Sequence, residues 1–249
     1  MHEGHREKMR ARIDNAGLDS LAEHEILETL LYFTIPRGDT NPIAHRLMSA
    51  FGNLSGVLEA PEHELLKVEG VGPKTARMLA MLPHYSRAYL VSKTKNDRPL
   101  SNTADMGRYL LPYFIGEQEE KVYVLCLDNR FRPICCKCVH TGSVNAVEVS
   151  VRSIVSVALS YNATSVVLAH NHPGGISLPS ADDRITTGKV ASALDTVGIR
   201  LVDHIVVSGS LDEDDIMGDY ISMADSGMLA AETDIAMQRA AQNWRVRQE

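Results

Sequence analysis

Two histidines stand two residues apart in Ala169-His170-Asn171-His172-Pro173, at the end of an apolar run. Alternate side chains of a strand share a face, so both imidazoles point the same way and form the beginning of a metal site. Zinc takes nitrogen, sulfur and oxygen donors at ~2.0–2.3 Å, and a catalytic zinc keeps three protein ligands and one position open to water. The third ligand is at hand in Ser180-Ala181-Asp182-Asp183. Asp183 follows His172 by eleven positions, past the turn residues Pro173-Gly174-Gly175, on the first turn of a helix. His170, His172 and Asp183 are therefore the expected Zn2+ ligands. A water in the open position is acidified toward a pKa of ~7 and needs a base. Glu119 and Glu120 directly precede the apolar run Val122–Leu127; Glu120 is the favoured base, with Glu148 the outlying alternative. The Ser180 hydroxyl is the expected donor to an oxyanion formed by attack on an amide carbonyl. Plainer readings exist for each part. Ser180-x-x-Asp183 also spells a helix capping box, and two histidines in a loop are often just hydrogen-bonded. The metal reading rests on the parts occurring together and in this order.

These residues need a scaffold, and the pattern from residue 102 onward supplies one. Ala104–Phe114 reads as a helix. Val122–Leu127 and Ile134–Val139 read as strands around an Asp128-Asn129 turn. Ser150 opens an amphipathic helix reaching Tyr161. Ser165–Ala169 is a strand ending at His170, Ala181–Val197 a helix, and Leu201–Ser208 a last strand. Strands alternating with helices predict an α/β domain, a mixed sheet with helices on its faces. Residues 227–249 read as a helical tail, and pairing with a second copy in a homodimer is one use for it.

Residues 1–91 show helical periodicity only. The expected boundaries are a helical domain over 1–91, a polar linker over 92–101, the metal domain over 102–226 and the tail. Leu66-Lys-Val-Glu-Gly70-Val-Gly72-Pro-Lys74-Thr-Ala76 has the shape of a helix-hairpin-helix. Gly70 and Gly72 permit a tight turn. The following helix N-terminus can hold a phosphate oxygen, with Lys74 adding charge. Such contacts read the DNA backbone and not its sequence. Arg6, Lys8, Arg10 and Arg12 form the one basic cluster, readable as a solvated helix start or as a further DNA contact.

Composition sets limits. The net charge is −7, and the first 95 residues hold 12 basic and 12 acidic side chains. That is no broad basic surface, so any DNA binding is expected to be local and weak. No apolar run reaches the ~18–20 residues of a membrane span, the polar start carries no signal core, and a cytoplasmic protein is expected. Cys126, Cys135, Cys136 and Cys138 have no zinc-knuckle spacing and read as reduced thiols in strands. A nucleobase deaminase would need His-x-Glu with Cys-x-x-Cys, and a zincin needs His-Glu-x-x-His; neither occurs. His-Asn-His spells a nuclease name, but adjacency in sequence is not that site's geometry.

His170-x-His172-Pro173, seven residues, then Ser180-x-x-Asp183 resembles the JAMM signature of the MPN/JAB metallopeptidases. The surrounding words resemble more closely the RadC family, long called DNA repair proteins. They are His170-Asn-His-Pro-Gly174, Gly142-Ser-Val-Asn145, Asp203-His-Ile-Val206, Ser222 through Leu229, Gly4-His5-Arg6-Glu7 and Gly70-Val-Gly-Pro-Lys-Thr-Ala76. The likeness covers residues 4–229. It implies a three-layer MPN/JAB domain behind a helix-hairpin-helix domain, and zinc held by His170, His172 and Asp183. It also implies assistance from Ser180 and a base corresponding to Glu120. The implied substrate is a protein or peptide amide; the alternative is a DNA-binding accessory of repair with a structural or vestigial zinc. One departure stands out: the family's Pro-Arg-Glu is replaced by Val151-Arg152-Ser153, a position read as a helix anchor and not as the base.

Overall fold

The computed structural model describes residues 2–94, 98–142, 151–208 and 220–229. The chain forms two compact units, Met1–Ser86 and Arg87–Glu249. The first is helical: α1 (His2–Ala16), a 3-10 turn (Leu18–Ser20), α2 (Glu23–Leu31), α3 (Asn41–Phe51), α4 (Leu54–Glu59), α5 (Glu62–Leu65) and the start of α6 (Pro73–Thr94). Leu27, Leu31, Leu47, Val57, Leu65 and Leu79 are fully buried at its centre. Pro42 opens α3, where its missing N–H costs nothing. Asn53 caps α4 by accepting from the Gly56 amide at 2.7 Å. A carboxylate, Glu28, is also buried, and it is satisfied by Tyr32 Oη at 3.0 Å and Asn41 Nδ2 at 3.1 Å, with His5 Nε2 at 3.2 Å.

Two members of the basic cluster are structural. Arg6 donates to the carbonyls of Ile35, Pro36 and Gly38 at 2.8–2.9 Å. Arg12 pairs with Glu25 at 2.8 Å and donates to the Ser20 carbonyl. Both hold α1 against its own unit.

The segment over 92–101 differs from the expected linker. Helix α6 runs past Pro83 to Thr94, because one proline removes a single hydrogen bond and Arg87, Ala88, Leu90 and Lys93 are good helix formers. After the undescribed residues 95–97, Leu100 is buried and its amide donates to the Phe131 carbonyl at 2.9 Å. An apolar side chain in a polar stretch has found a slot in the second unit.

That unit is a mixed five-stranded sheet. Its strands are β1 (Lys121–Leu127), β2 (Pro133–Thr141), β3 (Ser165–His172), β4 (Arg200–Ser208) and β5 (Tyr220–Ser222), in the order β2-β1-β3-β4-β5. All neighbours are antiparallel except β3 and β4, which α9 (Ala181–Thr196) joins as a parallel crossover. One face packs on α7 (Thr103–Leu110) and the 3-10 turn Leu111–Phe114, through Met106, Leu110, Leu125, Val167 and Ile205. The other packs on α8 (Val151–Ser160) and α9, through Val124, Ile154, Leu168, Val190 and Leu194. This is the expected three-layer α/β architecture. The four cysteines are free thiols. Cys126 faces Cys135 across the β1·β2 ladder, and burial pushes its thiol up to about 12, which makes it inert.

Candidate metal centre

His170 and His172 lie at the C-terminal end of β3, and Asp183 on the first turn of α9. The strand runs three residues further than its apolar stretch, to His172, so both histidines keep strand alternation. His170 Nε2 lies 2.9 Å from His172 Nε2 and 3.3 Å from Asp183 Oδ1; His172 Nε2 lies 3.6 Å from Asp183 Oδ2. The three donor atoms all fall within 4.8 Å of one another. A tetrahedral zinc with ~2.0–2.1 Å bonds spaces its ligand atoms ~3.3 Å apart, so the trio fits that ion. Among the described residues, this is the one His/Cys/Asp/Glu group of three so disposed.

Each side chain is held from behind. His172 Nδ1 lies 2.9 Å from the Ile176 carbonyl, which leaves Nε2 facing the trio. His170 Nδ1 lies 2.8 Å from His204 Nε2. Asp183 Oδ2 accepts from the Ser180 amide at 2.7 Å and its hydroxyl at 2.6 Å, while the Asp183 amide donates to Ser180 Oγ at 3.1 Å. Ser180 is thus the cap of α9, and its hydroxyl aims Asp183. Asp183 thus belongs to the capping box and is also a candidate metal ligand. Burial opposes ionisation of Asp183, but the His170 and His172 imidazoles packed against it overcome that cost and hold the carboxyl far below the usual carboxylate range. The hydrogen bond to Asp183 raises the pKa of His172 against the opposing effect of burial. Two histidines and an ionised carboxylate crowded together are the charge pattern of a cation site.

Glu120 sits just before β1, and its carboxylate adds to the field that raises His172. Its Oε2 is buried and, among the described residues, has no hydrogen-bond partner. A buried carboxylate oxygen without a donor is costly, and a water on an adjacent cation would satisfy it. The peptide groups flanking Glu120 are clamped by one side chain: Asn171 Oδ1 accepts from the Lys121 amide at 2.8 Å, and Asn171 Nδ2 donates to the Glu119 carbonyl at 3.1 Å. The Gly142 amide donates to the Glu120 carbonyl at 3.0 Å. Glu119 is exposed. Glu148, residues 143–145 of the Gly142–Asn145 word and residues 230–249 of the tail lie outside the described residues.

Gly70, Gly72 and Lys74 are in the first unit, in the turn from α5 into α6. Gly70 has φ 92°, and a Cβ there would meet Ile43 at 2.9 Å, so glycine is required. Gly72, Pro73 and Lys74 are exposed.

Sequence reasoning gave no role to Asn171, Thr187 or His204. The signal for His204 was present, since Asp203 and His204 interrupt an apolar strand and a polar group buried there must have a partner.

The model of the RadC-like JAB domain matches residues 100–228 of this chain. A UPF0758 protein of Fusobacterium nucleatum is 31% identical over 235 residues, covering 92% of this chain and 98% of the relative.

Proposed function

The chain belongs to the RadC family, and on that premise we propose that it is a zinc-dependent hydrolase of an amide bond, a metallopeptidase or isopeptidase. The observation that carries the reading is the convergence of His170, His172 and Asp183 donor atoms within 4.8 Å of one another. Zinc bound there would supply a Lewis acid that polarises the carbonyl and lowers the pKa of water. The chain's own groups do the rest. His170 and His172 present Nε2 lone pairs, and Asp183 adds the negative charge that favours a dication. Glu120 accepts the proton of the attacking water and returns it to the leaving amine. Ser180 Oγ, whose proton goes to Asp183 Oδ2 in this structure, would turn that O–H to the developing oxyanion.

Metal analysis of the purified protein tests this. About one zinc per chain is expected, with His172→Ala holding none. Glu120→Gln should keep zinc while hydrolysis of a peptide or isopeptide substrate falls by ~10²–10⁴-fold. A wild type without zinc, or a His172→Ala variant that binds it equally, overturns the assignment.

A second reading, an accessory role on DNA, is favoured by the exposed N-terminus of α6 with Lys74 beside it. Binding of branched DNA should then weaken with salt and with Lys74→Glu. No binding at low salt removes this reading.

A further inference from the structure

We propose that His204 and Thr187 form a one-way hydrogen-bond relay that holds His170 with its proton on Nδ1 and its Nε2 lone pair facing the ligand trio. The purpose of the relay rests on the metal reading above; its geometry does not.

Three contacts define it. His170 Nδ1 lies 2.8 Å from His204 Nε2, His204 Nδ1 lies 2.6 Å from Thr187 Oγ1, and Thr187 Oγ1 lies 2.6 Å from the Asp183 carbonyl oxygen. The elements make these contacts inevitable. In the parallel β3·β4 ladder His170 is level with Val206, so His204, two residues earlier, stands on the same face. Thr187 follows Asp183 by one turn of α9, where a threonine hydroxyl reaches the carbonyl four residues back.

The direction of the protons follows from the far end. A backbone carbonyl can only accept, so the single hydroxyl proton of Thr187 goes to Asp183. Met223 Sδ, at 3.6 Å, is a weak and distant competitor for it. Thr187 Oγ1 then has only lone pairs to offer His204, which must carry its proton on Nδ1. His204 Nε2 is left as an acceptor, and His170 Nδ1 must donate to it. His170 Nε2 is thereby the nitrogen free for a cation. The relay starts and ends on two ligands of the same trio, and it is sealed from water: His170, Thr187 and His204 are 2%, 1% and 4% exposed. A ligand histidine is ordinarily oriented by a carboxylate, carbonyl or water, and losing that partner costs ~10–100-fold in metal affinity. Here a neutral imidazole takes the part and needs Thr187 to choose its tautomer.

The test has two independent readouts on the full chain. Long-range ¹H–¹⁵N spectra of histidine-labelled protein, with and without zinc, should place the His204 proton on Nδ1 and leave Nε2 bare. Zinc affinity from chelator competition should fall ~10–100-fold in His204→Phe and by a smaller factor in the near-isosteric Thr187→Val. His204→Gln, which can accept from His170 and donate to Thr187, should recover most of the loss. That recovery separates positioning from packing. A proton on His204 Nε2, or wild-type affinity in both Thr187→Val and His204→Phe, overturns the relay. A wild type that binds no zinc overturns the metal reading instead, and the spectra still decide the relay.

Discussion

At the scale of residues, the site is assembled from side chains that each serve twice. Asp183 closes the cap of α9 and offers an oxygen to a cation. Asn171, between the two histidines, reaches away from them to hold the peptides on either side of Glu120. Asn171→Ala should therefore leave zinc affinity within a few-fold of wild type while hydrolysis falls by ~10–100-fold, since a small misplacement of a reacting group is costly. Parallel zinc titration and hydrolysis assays check this; an equal loss in both would make Asn171 a support of the whole site. The convergence of His170, His172 and Asp183 was legible in the sequence because they lie within fourteen residues of one another, on one strand end and one helix start. The partners of Asn171 and His204 were not, because their contacts span 50 to 52 and 34 positions and depend on which strands become neighbours.

At the scale of elements, alternation and caps foretold most strands and helices of the second unit. Two things escaped them. Strand β5 has only three residues, too few to show a period, and it is held by Asp203. This buried carboxylate accepts from Ser222 Oγ at 2.7 Å and from the Ala224 amide at 3.0 Å. Helix α6 passes through Pro83, a residue type that commonly ends or kinks a helix. The β1–β2 hairpin shows a turn whose chemistry was readable. Asp128 Oδ1 accepts from the amides of Arg130 at 2.8 Å and Arg132 at 3.0 Å, and Oδ2 accepts from Arg132 Nε at 2.8 Å. Burial alone would raise the Asp128 pKa, but these bonds lower it. A carboxyl depressed on folding stabilises above its unfolded pKa of ~3.9, and that contribution is lost as pH falls through the folded value. Asp128→Ala should thus cost about 1–2 kcal/mol near pH 7 and less as pH drops below ~3.9. Denaturant titrations of wild type and variant across that range measure the convergence; a pH-independent difference would assign the effect to backbone propensity.

At the scale of the whole molecule, each unit has its own buried core, and every donor of the candidate metal centre belongs to the second. Among the described residues no helix is long and apolar enough to cross a membrane. Leu27→Ala, which empties a fully buried position in the first unit, should destabilise that unit by about 2–5 kcal/mol and leave the zinc content unchanged. Thermal unfolding of the full chain with metal analysis reads both, and loss of zinc would show that the centre depends on the helical unit. The parallel pairing of β3 with β4 has a consequence in time. It can close only after α9 has been enclosed, and such long-range closures come late in folding because chain entropy must be lost before any contact rewards it. The trio, drawn from β3 and α9, is completed with that closure. A cation held there binds a state that the nascent chain has not yet reached, so it works as a latch: it slows escape from the finished fold and leaves the speed of arrival untouched.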